Sequence, residues 1–434
     1  MTLRNTMDTG VSGLIAEGRA LAVVGDNVAN VNTVGFKESR AIFEDVLGGA
    51  VGLGGNPPGF GVRMARSQQI FAQGALNNTD VPTDVALSGD GFFVVNGNVG
   101  GVEGNFYTRA GQCTVRKDGV IVNPDNLALQ GYAANPLTGT YSSLLSNIVV
   151  PTTTISPKAT TSYNVVANLD ATATTPAAAF SAANPQTTSN FATTMTVYDS
   201  LGSPHALTTY FRKTGANTWD YHVLANGSEV TGGVAGTNVE IATGTLSFNA
   251  TGALQTNTLT AGGTVSFTGG AAAGQAIAFN FGTPVAAGGG ATGLDGVTQF
   301  GSPSSVGAQN QDGYAPGDLG SLRIDGDGTV SGVYTNGQTL AIGRIAVARF
   351  TSNDGLARAG HNLWTQTRES GQPAVGAAGT GGRGSVVAGA LEQSNVEISQ
   401  QFVDLIAHQR AFQADSKTIT TADQMLQELM NIGR

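Results

Sequence analysis

The sequence predicts a mixed α+β protein. A helix near each terminus forms a coiled-coil-like core, and two or more nested β-rich domains lie between. Three observations carry this. Seven-residue apolar repeats occur at both ends of the 434 residues. The stretch between them is short β-branched and aromatic runs punctuated by Asp-Gly and Asn-Gly pairs. Charge thins out in the middle of the chain.

Thr9 to Asn30 reads as the first helix. Val11, Leu14, Gly18, Leu21, Gly25 and Val28 alternate by three and four, the spacing of a coiled-coil seam. Gly18 and Gly25 on that stripe each cost about 1 kcal/mol against Ala. Close approach of another helix, which a missing side chain permits, is the expected compensation.

Short strands follow, for example 91–95, 118–122 and 342–350. Asp90-Gly91, Asp118-Gly119, Asp325-Gly326, Asp327-Gly328 and Asn336-Gly337 mark their turns. From Ser146 to Phe300 the charged residues are Lys158, Asp170, Asp199, Arg212, Lys213, Asp220, Glu229, Glu240 and Asp295. Within that stretch, Ala171 to Ser189 and Gly262 to Gly296 are nearly low-complexity. This reads as an inserted β-domain with long, tolerant loops.

The second helix spans about Ser394 to Ile432. Ile398, Leu405, Phe412, Ile419 and Leu426 are seven apart, and Phe402 and Met430 extend the stripe. Ser394 or Asn395 reads as the N-cap, with Glu397 completing a capping box. Gly433 sits where a helix stop is expected. The expected layout is a terminal helical assembly domain (1–30 and 390–434), connecting segments (31–75 and 366–389), an inner β-domain (76–145 and 301–365) and an outer β-domain (146–300).

Net charge −9 and pI near 4.9 argue against a nucleic-acid or anionic-membrane partner, since both need clustered positive charge. No run reaches the ~18 apolar residues of a membrane span, so no membrane insertion is expected. Met1 to Gly10 lacks the apolar core of a signal peptide, so any export route is expected to read something other than a cleavable signal. Cys113 is the single cysteine and reads as a buried strand residue. Two isolated helices with exposed outer faces are marginal against their ordering entropy. They are expected to order when neighbouring subunits cover those faces.

Ser12 to Ala16, followed by Gly25-Asp26-Asn27-Val28-Ala29-Asn30-Val31-Asn32-Thr33-Val34-Gly35-Phe36-Lys37, resembles the N-terminal signature of the flagellar rod, hook and hook-associated axial proteins. Gly389-Ala390-Leu391-Glu392-Gln393-Ser394-Asn395-Val396 and Gln409 to Ala414 resemble the signature at the other end. Within these, Asn27, Asn30, Gly35, Phe36, Lys37, Ser394, Asn395 and Val396 are the motif positions. Segments 89–94, 107–111 and 129–132 resemble the first exposed domain of the family. Val197-Tyr198-Asp199-Ser200-Leu201-Gly202-Ser203-Pro204-His205 resembles the outer domain of its hook branch. The distal rod protein, shorter and without that domain, is the alternative. Cys113 departs from the pattern, which has a bulky apolar residue there.

The resemblance implies a non-enzymatic subunit of a curved, hollow, torque-transmitting hook outside the cell, exported by the flagellar export apparatus and needing no cofactor. Its implied partners are copies of itself, the distal rod protein, the hook cap and the hook–filament junction protein. It also implies that the second helix lines an export channel. Gln393, Gln400, Gln401, Gln409, Gln413 and Gln424 would then form a neutral polar wall; the alternative is a solvated helix face.

Other chemistries fit poorly. Asp325-Gly326-Asp327-Gly328 starts like a calcium loop, but its twelfth position is Asn336 rather than Glu. His205, His222, His361 and His408 lack metal-ligand spacing. Gly52 to Gly55 and Gly381 to Gly384 lack the strand–turn–helix context of phosphate loops. An adhesin would call for a signal peptide or anchor. A carbohydrate-active enzyme would need converging carboxylates, whereas these are scattered.

Overall fold

The computed structural model describes residues 3–47, 59–135 and 138–432; Gly433 and the Gly52–Gly55 run lie outside them. The chain is mostly β, with 44% strand and 17% helix. One long helix stands at each end, Leu3–Ala29 and Ile398–Ile432. The nested β-domains fit expectation. The coiled-coil core does not form, and the fold class is corrected accordingly. Val11 is 44% exposed, Ile398 45%, Phe402 51% and Phe412 40%. Gly18 and Gly25 have no neighbour within 4 Å of where a Cβ would stand. The heptad stripes therefore do not interlock within one chain.

The chain divides into two compact units, 1–152 with 321–333 and 339–434, and 153–320 with 334–338. In the first, strand Phe92–Val99 lies between Val102–Thr108 and Ala128–Ala134 in an antiparallel sheet. Strand Thr339–Arg349 pairs with Ala128–Ala134 through residues 343–345 and with Phe92–Val99 through 347–348. Phe92, Tyr107, Phe350 and Trp364 form its aromatic core, with Tyr107 and Phe350 edge to face at 4.7 Å. Two short pairings, 85–88 with 385–388 and 76–78 with 390–392, carry the chain's early and late segments side by side.

The inserted unit contains a five-stranded antiparallel meander, Phe191–Tyr198, Pro204–Gly215, Thr218–Asn226, Asn238–Phe248 and Leu254–Gly262. Strand Ser162–Asp170 centres a second sheet. Alternating residues such as Met195, Val197, Leu207, Phe211, Trp219 and Tyr221 fill the core between them. This period-two burial is what a sequence of Thr, Ala and aromatic residues with few charges encodes. Asp325 to Gly328 is a turn: Asp327 accepts from the Thr329 N–H and hydroxyl, and Arg344 pairs with it at 2.9 Å.

Candidate functional site

The residues expected to matter converge where the two termini meet in the first unit. The helices run antiparallel. Gly10 faces Ile419, Gly13 faces Asp415, Glu17 bonds His408 at 2.6 Å, and Asn27 bonds Gln401 at 2.9 Å. The covered face of the N-terminal helix is Gly10, Gly13, Ala16, Ala20, Val24 and Asn27, a stripe of mostly small residues beside the expected apolar seam. A Cβ on Gly10 would stand 2.9 Å from Ile419 Cγ1, and one on Gly13 would collide with the Asp415 carboxylate. Close approach through glycine thus occurs at Gly10 and Gly13, whereas the sequence pointed to Gly18 and Gly25.

The seam residues themselves divide. Val11, Gly25, Ile398, Phe402 and Phe412 are exposed; Leu14, Gly18, Leu21, Val28, Leu405, Ile419 and Leu426 are half-buried. Gln401 is buried between the helices, so it cannot belong to an exposed polar wall with Gln400, Gln409, Gln413 and Gln424.

Beyond the helices, the two motif segments interlock through hydrogen bonds. Asn27 Nδ2 donates to the Ser39 carbonyl (2.7 Å) and its Oδ1 accepts the Ser39 N–H (2.9 Å). Gln401 donates to Glu38 (2.8 Å). Asn395 accepts the Glu38 N–H (2.7 Å) and donates to the Ile70 and Ala72 carbonyls. Asn395 is used this way and the helix starts only at Ile398, so the expected capping box does not form. Ser394 accepts the Val396 N–H at 3.3 Å. Asn30 closes the other helix by bonding Asp26 and receiving the Thr33 hydroxyl. Val396 and Phe36 are buried nearby.

At the centre sits Glu392, fully buried. It accepts Lys37 Nζ (2.5 Å), the Gly74 N–H (2.9 Å) and Arg109 Nη1 (3.2 Å). Lys37 also donates to the Ala72 carbonyl, and Arg109 to the Gly89 carbonyl. Burial lowers the Lys37 pKa below its ordinary value. Glu392 opposes that shift, and Arg109 adds to it. Gly35 donates its N–H to the Glu392 carbonyl at φ 69°, with Ala110 N 2.5 Å from where a Cβ would stand. No other residue fits there without strain.

Two carboxylates near the helix pair are held above their ordinary range. Burial raises the Glu38 pKa; Gln401 opposes this, and Asp404 and Glu397 add to it. Burial and then Glu17 raise that of Asp415. Sequence reasoning missed Glu392, Arg109, Gly10, Gly13 and Asp415, and it assigned Gln401 to the polar wall instead of to Asn27 and Glu38. Glu392 lay inside a quoted motif, but its partner is 355 residues away.

Geometry of this kind defines a structural junction, a place where one chain's ends are fastened together. Family models match along the chain: the flagella basal body rod protein model at residues 7–37, the flagellar hook protein FlgE/F/G D1 domain at 86–168, the flagellar basal body protein FlaE D2 domain at 168–314, and the flagellar basal body rod FlgEFG protein C-terminal model at 387–432. The flagellar hook protein FlgE of Escherichia coli is 37% identical over 97% of this chain and 98% of its own. That of Treponema pallidum is 34% identical over the full length of both. The crystal structure of Helicobacter pylori flagellar hook protein FlgE2 covers 73% of this chain and 100% of its own at TM-score 0.53 and 15% identity, a likeness of fold. The chain belongs to the flagellar hook protein family, a family of structural proteins.

Proposed function

We propose that this chain polymerises through segments 1–30 and 390–434 into the curved hollow hook that passes motor torque to the filament. One observation carries the reading. Although the terminal helices already pair, Val11, Ile15, Ile398, Phe402, Val403, Ile406 and Phe412 remain exposed. So many large apolar side chains on two helices mark an interaction surface, and a second copy is the occupant. In this reading 31–75 and 366–389 connect, 76–145 and 301–365 form the inner layer, and 146–300 the outer. The distal rod protein would receive the first subunits, under a hook cap, and a hook–filament junction protein would close the far end. Subunits would leave the cell through the flagellar export apparatus. A low-charge outer layer has few ion pairs to break and remake as the tube bends.

The test is electron microscopy of basal bodies from a strain deleted for the gene, complemented with wild type or Phe402→Asp. Rods without hooks in the deletion, and exported but unassembled Phe402→Asp subunit, are expected. Truncated rods would move the chain to the distal rod. Normal hooks with Phe402→Asp would overturn the assignment of this surface.

A further inference from the structure

The segment Val197 to His205 takes no part in the terminal junction. It forms the turn between the first two strands of the inserted unit's meander. Asp199 Oδ1 accepts the N–H groups of Leu201 (2.8 Å) and Ser203 (2.9 Å), and Gly202 turns the chain at φ 81°. The other carboxylate oxygen lies 3.2 Å from His205 Nε2. On the far side of the ring, Nδ1 lies 3.0 Å from Glu229 Oε2. Phe267 stacks flat on the imidazole, with centroids 3.8 Å apart and planes 6° apart. His205 and Asp199 are both buried, and Glu229 is partly exposed.

This arrangement distinguishes the two protonation states of the ring. An ionised carboxylate only accepts, and a neutral imidazole carries one N–H. The neutral ring can therefore satisfy Asp199 or Glu229, while its bare nitrogen faces the other carboxylate lone pair to lone pair. The imidazolium donates to both. Burial pushes the Asp199 carboxyl up, but hydrogen bonds from Ser203, His205 and Leu201 outweigh it. They hold Asp199 below the ordinary range, so it stays an acceptor near neutrality. Asp199 and Glu229 are the ionisable groups paired with the ring, and Phe267 closes its face.

We propose that His205 is a proton-dependent clasp: as imidazolium it ties the 199–203 turn to Glu229, under the Phe267 ring, and on losing a proton it lets one carboxylate go. The turn it holds bears on the entry of the inserted unit. A Cβ on Gly202 would stand 2.6 Å from Pro316 Cδ and 2.7 Å from Pro157 Cβ. Those prolines flank the bridges Ile155–Gly317 and Lys158–Tyr314, where the chain enters and leaves this unit. Opening the clasp therefore loosens the packing behind those bridges. The inserted unit is firmer with the ring doubly protonated and softer once one proton has left, so it loosens as pH rises.

Hydrogen–deuterium exchange on the full chain tests this, reading the peptide over residues 197–206 from pH 5.5 to 8.5 after correction for intrinsic exchange. The wild-type rate should rise about tenfold across that range, the factor carried by one hydrogen bond to a charged group. A reference peptide over Phe92–Val99 should hold its rate. His205→Gln should exchange at the fast level throughout. Glu229→Gln, milder to the fold, should lose the pH dependence, because its amide offers an acceptor or a donor to either form of the ring. A flat wild-type profile, or a wild-type slope retained in Glu229→Gln, would overturn the proposal.

Discussion

Replacing Glu392 with Gln isolates what holds the chain's ends together. The substitution keeps shape and one acceptor oxygen for the Gly74 N–H. It removes the charge that Lys37 and Arg109 share at 2.5 and 3.2 Å. Both cations stay buried, and breaking a buried pair in this way costs about 3–5 kcal/mol. Against a typical total of about 5–15 kcal/mol, that is a large fraction. Urea unfolding with Trp364 as probe, in a Trp219→Phe background, reports on the unit that contains the junction. The deficit should shrink as pH climbs toward 10. Without Glu392, burial and Arg109 lower the folded-state Lys37 pKa further below its unfolded value, so the folded chain sheds the proton first and stability rises with pH. Lys37→Met combined with Glu392→Gln should cost less than the sum of the two singles, by about 1–3 kcal/mol. A loss under about 1 kcal/mol for Glu392→Gln alone, or strict additivity, would refute the view that this carboxylate is the fastening point.

Acid should act in opposite directions on the helices and on the β-units. The raised pKa values of Glu38 and Asp415 mean that their contribution is full below the ordinary carboxylate range and lost as pH rises above it. The depressed ones of Asp199, Asp295, Asp312 and Asp327 are present above that range and lost below it. Helical circular dichroism should therefore strengthen as pH falls toward the ordinary carboxylate range, while Trp219 fluorescence reports weakening below about pH 4; Glu38→Gln with Asp415→Asn should flatten the helical trend. Gly13→Val should cost about 1–3 kcal/mol by overpacking against Asp415, whereas Gly18→Ala, with open space around it, should stabilise the helix by about 1 kcal/mol; thermal melts of the two variants distinguish them. The Cys113 thiol, buried and pushed up to about 12, should resist maleimide at pH 8 in the folded chain and react once urea unfolds it.

Much of the fold was legible because its signals are local. Asp118-Gly119 and Asn336-Gly337 turn the chain where Gly119 and Gly337 take φ of 83° and 80°. The Thr-rich strand Phe191–Tyr198 buries alternate residues as its pattern requires. The junction was legible only as a pair of motifs. Asn27, Lys37 and Asn395 were visible, but nothing in one sequence says that Lys37 meets Glu392 or that Asn395 spans Glu38 and Ala72. Those bonds depend on which strands lie together. The helix interface was misplaced for a different reason. Large apolar residues mark the face that gains most from burial in some environment, and inside a single chain the covered face was the neighbouring stripe of Gly and Ala.

The geometry of a seven-residue repeat explains why both stripes exist. Seven residues of a straight α-helix fall about 20° short of two turns. A stripe at 398, 405, 412, 419 and 426 therefore winds slowly around the C-terminal helix. Ile398 and Phe412 stand exposed, Leu405 between them and Leu426 are half-buried, and Ile419 meets Gly10. A coiled coil would remove the drift by supercoiling, but Glu17–His408 and Asn27–Gln401 hold the two helices in a register set by hydrogen bonds. The apolar stripe is thereby shared: Leu405, Ile419 and Leu426 are partly covered inside the subunit, and Ile398 and Phe412 are left facing outward with Phe402 and Ile406. In the proposed hook, that division lets each subunit fasten its own ends by polar contacts while keeping its largest apolar side chains for the next copy. A helix pair that satisfied its whole seam internally would have nothing left with which to polymerise.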